Sequence, residues 1–220
     1  MPNMTEELKS LTVNLNKMIK GLGIYAVYYA LSSIILPFLF LQIIVMKISG
    51  LTLVEAVSNI DPRLLLVYVF AVLLGLASDL VLLITSLRMI RYSVIFRRGV
   101  LASQILLAGL GAQLVGALLI ISYFINPASL KAMVGLTILS GGLVVIVVYA
   151  YTMYNLFGEL DRIFPRMRAG SDAGRLFLFH FIPVLGVLLL ILSIFVLYIG
   201  YQNVSEYPIT SSNENTTSTY

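Results

Sequence analysis

Four polar side chains inside long apolar stretches of this sequence are the residues that could carry chemistry. Asp79 is the one carboxylate within such a stretch, and His180 is the one histidine of the chain. Gln104 and Gln113 lie together in a third stretch. Counted at the rise of an α-helix, Asp79 lies at a depth that would let it contact Gln104 or His180.

Two interpretations of Asp79 remain open. An ionisable group within an apolar helix marks a functional site in many membrane proteins, so Asp79 could be the titrating group of a proton- or cation-responsive site. A protonated Asp79 could instead join two helices by a hydrogen bond worth about 0.6 kcal/mol. His180, between Phe179 and Phe181, is typical of a buried histidine, and Gln113 needs a polar partner.

Enzymatic chemistry finds little support in the remaining motifs. The chain has no cysteine, which excludes disulfides and thiolate ligands or nucleophiles. One histidine without an acidic cluster does not make a metal site, and one intramembrane aspartate cannot form an aspartyl dyad. The residues LSGG at 139–142 lack an accompanying phosphate-binding loop. We therefore expect no enzyme activity, no metal and no cofactor.

The composition places these residues in a membrane protein. Hydrophobic residues make up 60% of the 220 residues, charged residues make up 11%, and the mean hydropathy is +1.00. Soluble chains carry about 25% charged residues. This composition disfavours a soluble enzyme, a disordered chain and a nucleic-acid-binding protein, and it makes the lipid bilayer the first expected partner.

Charged residues divide the chain into five apolar runs, each long enough for one helical crossing of a bilayer core about 30 Å thick. The runs are continuously apolar and do not alternate, which excludes strands. We therefore predict an all-α bundle of five transmembrane helices. The predicted spans are 22–46, 64–87, 100–125, 132–158 and 176–200, within a domain 22–200.

The segments outside this domain differ in character. Residues 1–21 carry Leu8, Leu11, Leu15 and Met18 at helical spacing, which predicts an amphipathic helix on the cytoplasmic surface. Residues 201–220 are rich in Ser, Thr and Asn and predict a disordered external tail. Asn203 and Asn215 begin glycosylation acceptor patterns in that tail, so the protein could be a glycoprotein.

Basic residues predict the orientation in the membrane. Eleven Lys and Arg fall on one side of the predicted spans, and three fall on the other. Translocation of Lys and Arg is disfavoured, so the first side is cytoplasmic. Five crossings then place the N-terminus in the cytoplasm and the C-terminus outside the cell membrane. The cytoplasmic arginines could also bind anionic lipid; they are Arg88, Arg91, Arg97, Arg98, Arg162, Arg166, Arg168 and Arg175.

Two further patterns concern packing and depth. Ala108, Ala112 and Gly116 recur every four residues, which predicts close packing of the third span against its neighbours. Tyrosines cluster near the predicted boundaries and are interpreted as aromatic belts that anchor the protein at the membrane surfaces. They are Tyr25, Tyr28, Tyr29, Tyr149, Tyr151 and Tyr154 on one side, and Tyr123, Tyr198 and Tyr201 on the other.

Short stretches at the ends of the predicted spans suggest a relationship. A Leu-rich lead-in at 8–20 is followed by YNLFGE at 154–159, FIPVLG at 181–186 and LYIG at 197–200. In this order they resemble a family of archaeal multi-pass membrane proteins known only as a domain of unknown function. The resemblance covers about residues 8–200 and implies membership of that family, but no activity, cofactor or site residue.

Two functions remain after this reasoning. A non-enzymatic subunit or scaffold of a membrane assembly needs only packing surfaces, towards a protein partner or a second copy. A small transporter or channel would need a polar path, with Asp79 as its proton- or cation-responsive group. Internal duplication would favour transport, but the hairpins 64–125 and 132–200 share no matching residues.

Overall fold

The structure is a computed structural model that describes residues 4–165, 167–182 and 185–205. These residues form helices and no strand, as predicted. Five of the helices, α1, α3, α4, α5 and α7, are long and apolar enough to cross a membrane. The helices are α1 (Met4–Ile48), α2 (Leu53–Ser58), α3 (Pro62–Met89), α4 (Arg97–Ile125), α5 (Ser129–Ile163), α6 (Gly170–Leu178) and α7 (Leu185–Ser205).

Helix α1 is one continuous helix of 45 residues, so no break separates the predicted amphipathic segment 1–21 from the first span. Leu11, Leu15 and Met18 are buried, and the buried stripe continues through Leu22 and Tyr25. The two segments share one apolar face in one helical register, which favours a single helix. The side chains of residues 4–8 lie outside the described part.

Helices α1, α3, α4 and α5 alternate in direction along the bundle. Tyr92, just beyond α3, donates a hydrogen bond to Ser10 at the start of α1. Arg98, at the start of α4, forms an ion pair with Glu159 near the end of α5. The terminal end of the bundle therefore holds the start of α1, the α3–α4 connection and the end of α5. The loop end holds α2 and residues 126–128.

Helices α6 and α7 form an antiparallel hairpin at the position of the predicted fifth span. The Ser193 hydroxyl donates to the carbonyl of Ala173 over 2.7 Å, and Gly200 packs against Ala169. Helix α6 also runs antiparallel to α5, because Gly170 packs against Phe157 and Gly174 packs against Tyr154. The hairpin starts at the terminal end, rises beside α5 and returns along α7.

This hairpin corrects the predicted span 176–200. Residues 179–184 separate α6 from α7, so the apolar run is two helices and not one. Its tip reaches halfway along the bundle, since Phe181 and Ile146, the middle residue of α5, line one cavity. Because α7 ends beside the start of α6, Ser205 lies at the terminal end together with the start of α1.

Candidate functional site

Gln113 lies at the centre of a buried hydrogen-bonded cluster in the bundle. Its side chain is fully buried, and Oε1 accepts hydrogen bonds from Tyr28 of α1 over 2.8 Å and from Tyr68 of α3 over 2.7 Å. The amide nitrogen Nε2 is buried without a hydrogen-bond partner. The predicted need of Gln113 for a polar partner is thus met by two tyrosines, and its side chain connects α1, α3 and α4.

Close packing of α4 on α5 surrounds this cluster. A Cβ on Gly116 would lie 2.7 Å from the carbonyl oxygen of Gly135, and a Cβ on Gly142 would lie 2.7 Å from that of Gly109. Only glycine allows backbones to approach this closely. The Gly142 backbone also meets the stem of Gln113, so the two glycine pairs hold α5 against the polar cluster.

Of the predicted packing row, Gly116 makes this contact, whereas Ala108 is exposed and Ala112 is half-buried. Residues spaced by four drift by about 40° per step around an α-helix, so the row turns away from α5 over two steps. Gly109 and Gly116, spaced by seven, stay on one face and form the observed contact. The sequence spacing of seven was the signal for this pair.

His180 lies at the tip of the hairpin and is fully buried. Its Nδ1 is 2.6 Å from the carbonyl oxygen of Phe177, and its Nε2 is 3.0 Å from the hydroxyl of Tyr25. A carbonyl only accepts, so Nδ1 carries the proton and Nε2 accepts from Tyr25. The rings of Tyr29 and Phe177 both lie 4.7 Å from the imidazole, measured between centroids. His180 therefore joins the hairpin tip to α1.

Asp79 is 3% exposed and faces the bundle interior, as its charge demands. The hydroxyl of Ser103 on α4 lies beside its carboxyl group, and Tyr149 is an electrostatic neighbour. Its Oδ1 atom has no hydrogen-bond partner. No hydrogen bond among the described residues joins Asp79 to His180 or to Gln104, so the predicted direct contacts are not formed.

Gln104 lies on the opposite side of α4 from the buried cluster. Its side chain is exposed on the outer face, and no described residue hydrogen-bonds to its amide. Ala108 and Gly111 lie on the same outer face, where a Cβ on Gly111 would meet nothing within 4 Å. The outer face of α4 therefore combines a free amide with small side chains.

Four tyrosines of the buried cluster were not predicted as such. Tyr25, Tyr28 and Tyr149 were interpreted as belt residues, yet all three are essentially fully buried, and Tyr68 was not singled out. Tyr25, Tyr28 and Ser32 fall on the same face of α1 as the buried Leu22. That shared face was the available signal, because belt tyrosines face the lipid.

A cavity of about 280 Å³ lies between α1 and α5 at the tip of the hairpin. Its walls are mostly apolar and include Leu36, Ile146 and Phe181. The hydroxyl of Ser32 lines it, buried and without a hydrogen-bond partner. The cavity suits an apolar group and gives no continuous polar path along the bundle.

Five of the eight predicted lipid-binding arginines line two cavities at the terminal end. Arg98 and Arg162 form ion pairs with Glu159 over 3.2 and 3.0 Å, and they line a cavity of about 240 Å³ with Arg175. Arg88 and Arg91 line a second cavity of about 370 Å³. Arg97 and Arg168 are exposed, and Arg166 lies outside the described residues.

The remaining predicted sites concern the tail, metals and relatives. Asn203 is exposed in the last turn of α7, so this helix extends into the predicted tail, while Asn215 lies outside the described residues. Within residues that the structure describes, no three His, Cys, Asp or Glu side chains come together as metal ligands.

No protein-family model, curated protein or solved structure matches this chain. The resemblance to an archaeal membrane family therefore stays a prediction.

Proposed function

We propose that the protein is a non-enzymatic subunit of a membrane assembly that associates with a second copy of itself through the outer face of α4. The observation that carries this proposal is the exposed amide of Gln104. A polar amide that faces lipid has no hydrogen-bond partner there, and its desolvation costs free energy. Glutamine hydrogen-bonds across helix interfaces in membranes and would recover that cost at a contact.

A second copy is the occupant that fits this face. An amide both donates and accepts, so Gln104 can pair with Gln104 of another copy across a two-fold axis. Ala108 and Gly111 on the same face are small enough to let two α4 helices approach closely. A two-fold arrangement places the same patch on both partners and closes the assembly as a dimer.

Disulfide cross-linking in native membranes tests this association. The chain has no cysteine, so Gln104→Cys is the single thiol of its variant. Leu80→Cys is the matched control, because Leu80 is 57% exposed on α3. It also lies near the level of Gln104, as Gly99 of α4 packs on Ser86 of α3. We expect oxidation to produce a covalent dimer with Cys at 104 and none with Cys at 80. Equal cross-linking of both variants, or none at 104, would contradict the proposal.

The orientation follows from the hairpin and the basic residues together. We propose that α1, α3, α4 and α5 cross the cell membrane and that α6 and α7 form a re-entrant hairpin. Between α6 and α7, Phe179–Phe181 form a 3-10 helix in which His180 is buried against α1. Backbone that is not α-helical is tolerated at membrane depth where protein surrounds it. The eleven Lys and Arg outside the loop end make the terminal end cytoplasmic. Both termini are then cytoplasmic, and Asn203 is not glycosylated.

A second candidate function, a small transporter or channel, is favoured by one observation at Asp79. Its Oδ1 atom is buried without a partner, as expected of a carboxyl group that exchanges a proton or binds a cation. The flux of protons or cations into proteoliposomes, compared between the wild type and Asp79→Asn, tests this candidate. Transport predicts a flux that the substitution abolishes, whereas the absence of flux in both proteins rejects it.

A further inference from the structure

A basic cavity lies at the terminal end, between the first turns of α1 and the end of α3. Its volume is about 370 Å³. Three cations and three neutral polar side chains form most of its lining. They are Lys17, Arg88 and Arg91, together with Ser10, Asn14 and Tyr92.

Among the described residues that line this cavity there is no carboxylate to neutralise the three cations. No ion pair within the described residues includes Lys17, Arg88 or Arg91. The neighbouring cavity differs, because Glu159 pairs there with both Arg98 and Arg162. Like charges that share a cavity repel one another, and an anion between them would relieve that repulsion.

The neutral side chains are arranged to support an anion. Tyr92 donates its hydroxyl proton to Ser10 over 2.9 Å, and Asn14 donates to the carbonyl of Ser10 over 2.9 Å. The hydroxyl proton of Ser10 has no acceptor among the described residues and can therefore point towards a ligand. The cavity thus offers one hydroxyl donor in addition to its three cations.

We propose that this cavity binds a phosphate group, carried either by an anionic lipid headgroup or by a soluble phosphate. Arginine presents a planar set of donors that matches phosphate oxygens, and lysine adds a compact positive charge. Val13 lines the same cavity and is 46% exposed, which gives the site an apolar rim. A lipid would place its headgroup among the cations and its chains against that rim. This site is independent of the proposed contact at α4.

Native mass spectrometry of the detergent-solubilised protein tests the lipid source. The probe is phosphatidylglycerol offered against an excess of phosphatidylcholine. The test variant is Arg88→Gln/Arg91→Gln. The control is Lys9→Gln/Lys20→Gln, because these two lysines are exposed on α1, lie outside the lining of the cavity and carry the same total charge. Each cation near an anionic headgroup contributes about 1 kcal/mol, so the test variant should bind about 30-fold more weakly. The control variant should bind as the wild type does.

Equilibrium binding of radiolabelled inorganic phosphate tests the soluble source with the same proteins. If the test variant alone loses the binding of phosphatidylglycerol, the site binds a lipid headgroup. If the test variant alone loses the binding of inorganic phosphate, the site binds a soluble phosphate. If the test variant does not fold, Lys17→Gln should still weaken binding about fivefold. The proposal is overturned if the wild type binds neither probe, or if both double variants lose binding equally.

Discussion

At the scale of the residue, the amide of Gln113 organises the interior of the bundle. One carbonyl oxygen accepts from two tyrosine hydroxyls on two other helices, which uses both of its lone pairs. Each hydroxyl would otherwise be buried without an acceptor. The cluster therefore depends on the side chain of Gln113. Its removal alone should lower the free energy of unfolding more than its removal together with the two hydroxyls.

We predict that Gln113→Leu lowers the free energy of unfolding by about 1 kcal/mol, since hydrogen bonds between membrane helices contribute about 0.6 kcal/mol each. The triple variant with Tyr28→Phe and Tyr68→Phe should recover part of that loss, because it leaves no buried hydroxyl unpaired. Thermal unfolding in detergent measures both. A triple variant less stable than Gln113→Leu would show that the hydroxyls are satisfied in another way.

The sequence indicates which buried polar residues need hydrogen-bond partners, but it does not indicate which residues those partners are. Gln113 and His180 stand out because they are polar within apolar runs. Their partners Tyr28 and Tyr25 do not stand out, since tyrosine is equally stable at a membrane surface and in a core where its hydroxyl is bonded. Only the three-dimensional arrangement separates these two environments.

At the scale of the element, glycine pairs determine how closely α4 and α5 pack. Gly116 meets the backbone of α5, which cannot move aside as a flexible side chain would. Gly141 is exposed on the outer face of α5, where a Cβ would meet nothing within 4 Å. The two glycines therefore make a matched pair for mutation.

Gly116→Ala should destabilise the protein by about 1–3 kcal/mol, because the added methyl group overpacks the contact with α5. Gly141→Ala should be neutral or stabilise by up to about 1 kcal/mol, since alanine favours a helix more than glycine does. Melting temperatures of the two variants in the same detergent test this difference. Equal effects at both positions would mean that the glycine contact does not limit packing.

Helix α2 begins with a capping box in which Thr52 and Glu55 bond each other's backbone and side-chain groups. Hydrogen bonds from the hydroxyl and the amide of Thr52 lower the pKa of Glu55 below its ordinary value. The box therefore stabilises α2 above the ordinary glutamate pKa, and this contribution is lost as the pH falls through the lowered pKa.

We predict that amide hydrogen exchange in α2, corrected for its intrinsic pH dependence, becomes faster as the pH falls through that range. Glu55→Gln keeps an acceptor and does not titrate, so its exchange should lack this transition. A transition of equal size in the variant would attribute the pH dependence to another group.

Four of the five predicted spans lie within single helices, because an apolar run of this length favours one long helix. The hairpin was not predictable by the same rule. Residues 176–200 carry no formal charge, so the break at 179–184 is invisible to a count of charges. Helix α6 has nine residues that include Asp172 and Arg175, and its amphipathic sequence is typical of a surface segment.

At the scale of the whole molecule, the hairpin determines the end of the bundle at which α7 ends. The distribution of basic residues predicts a cytoplasmic terminal end whether α7 crosses the membrane or returns, because the segment after α7 has no Lys or Arg. Charge counting therefore could not distinguish the two arrangements. The packing of Gly200 against Ala169 brings the end of α7 back to the start of α6, and this contact is the observation behind the proposed re-entrant hairpin.

Side-specific labelling of single cysteines tests the proposed topology most directly. The chain has no cysteine, so Lys9→Cys, Asn59→Cys and Asn203→Cys each carry one thiol, at the terminal end, the loop end and the end of α7. A membrane-impermeant maleimide is added to sealed vesicles of known orientation. We predict that positions 9 and 203 react from the cytoplasmic side and that position 59 reacts from the opposite side. Reaction of position 203 from the same side as position 59 would contradict the re-entrant hairpin.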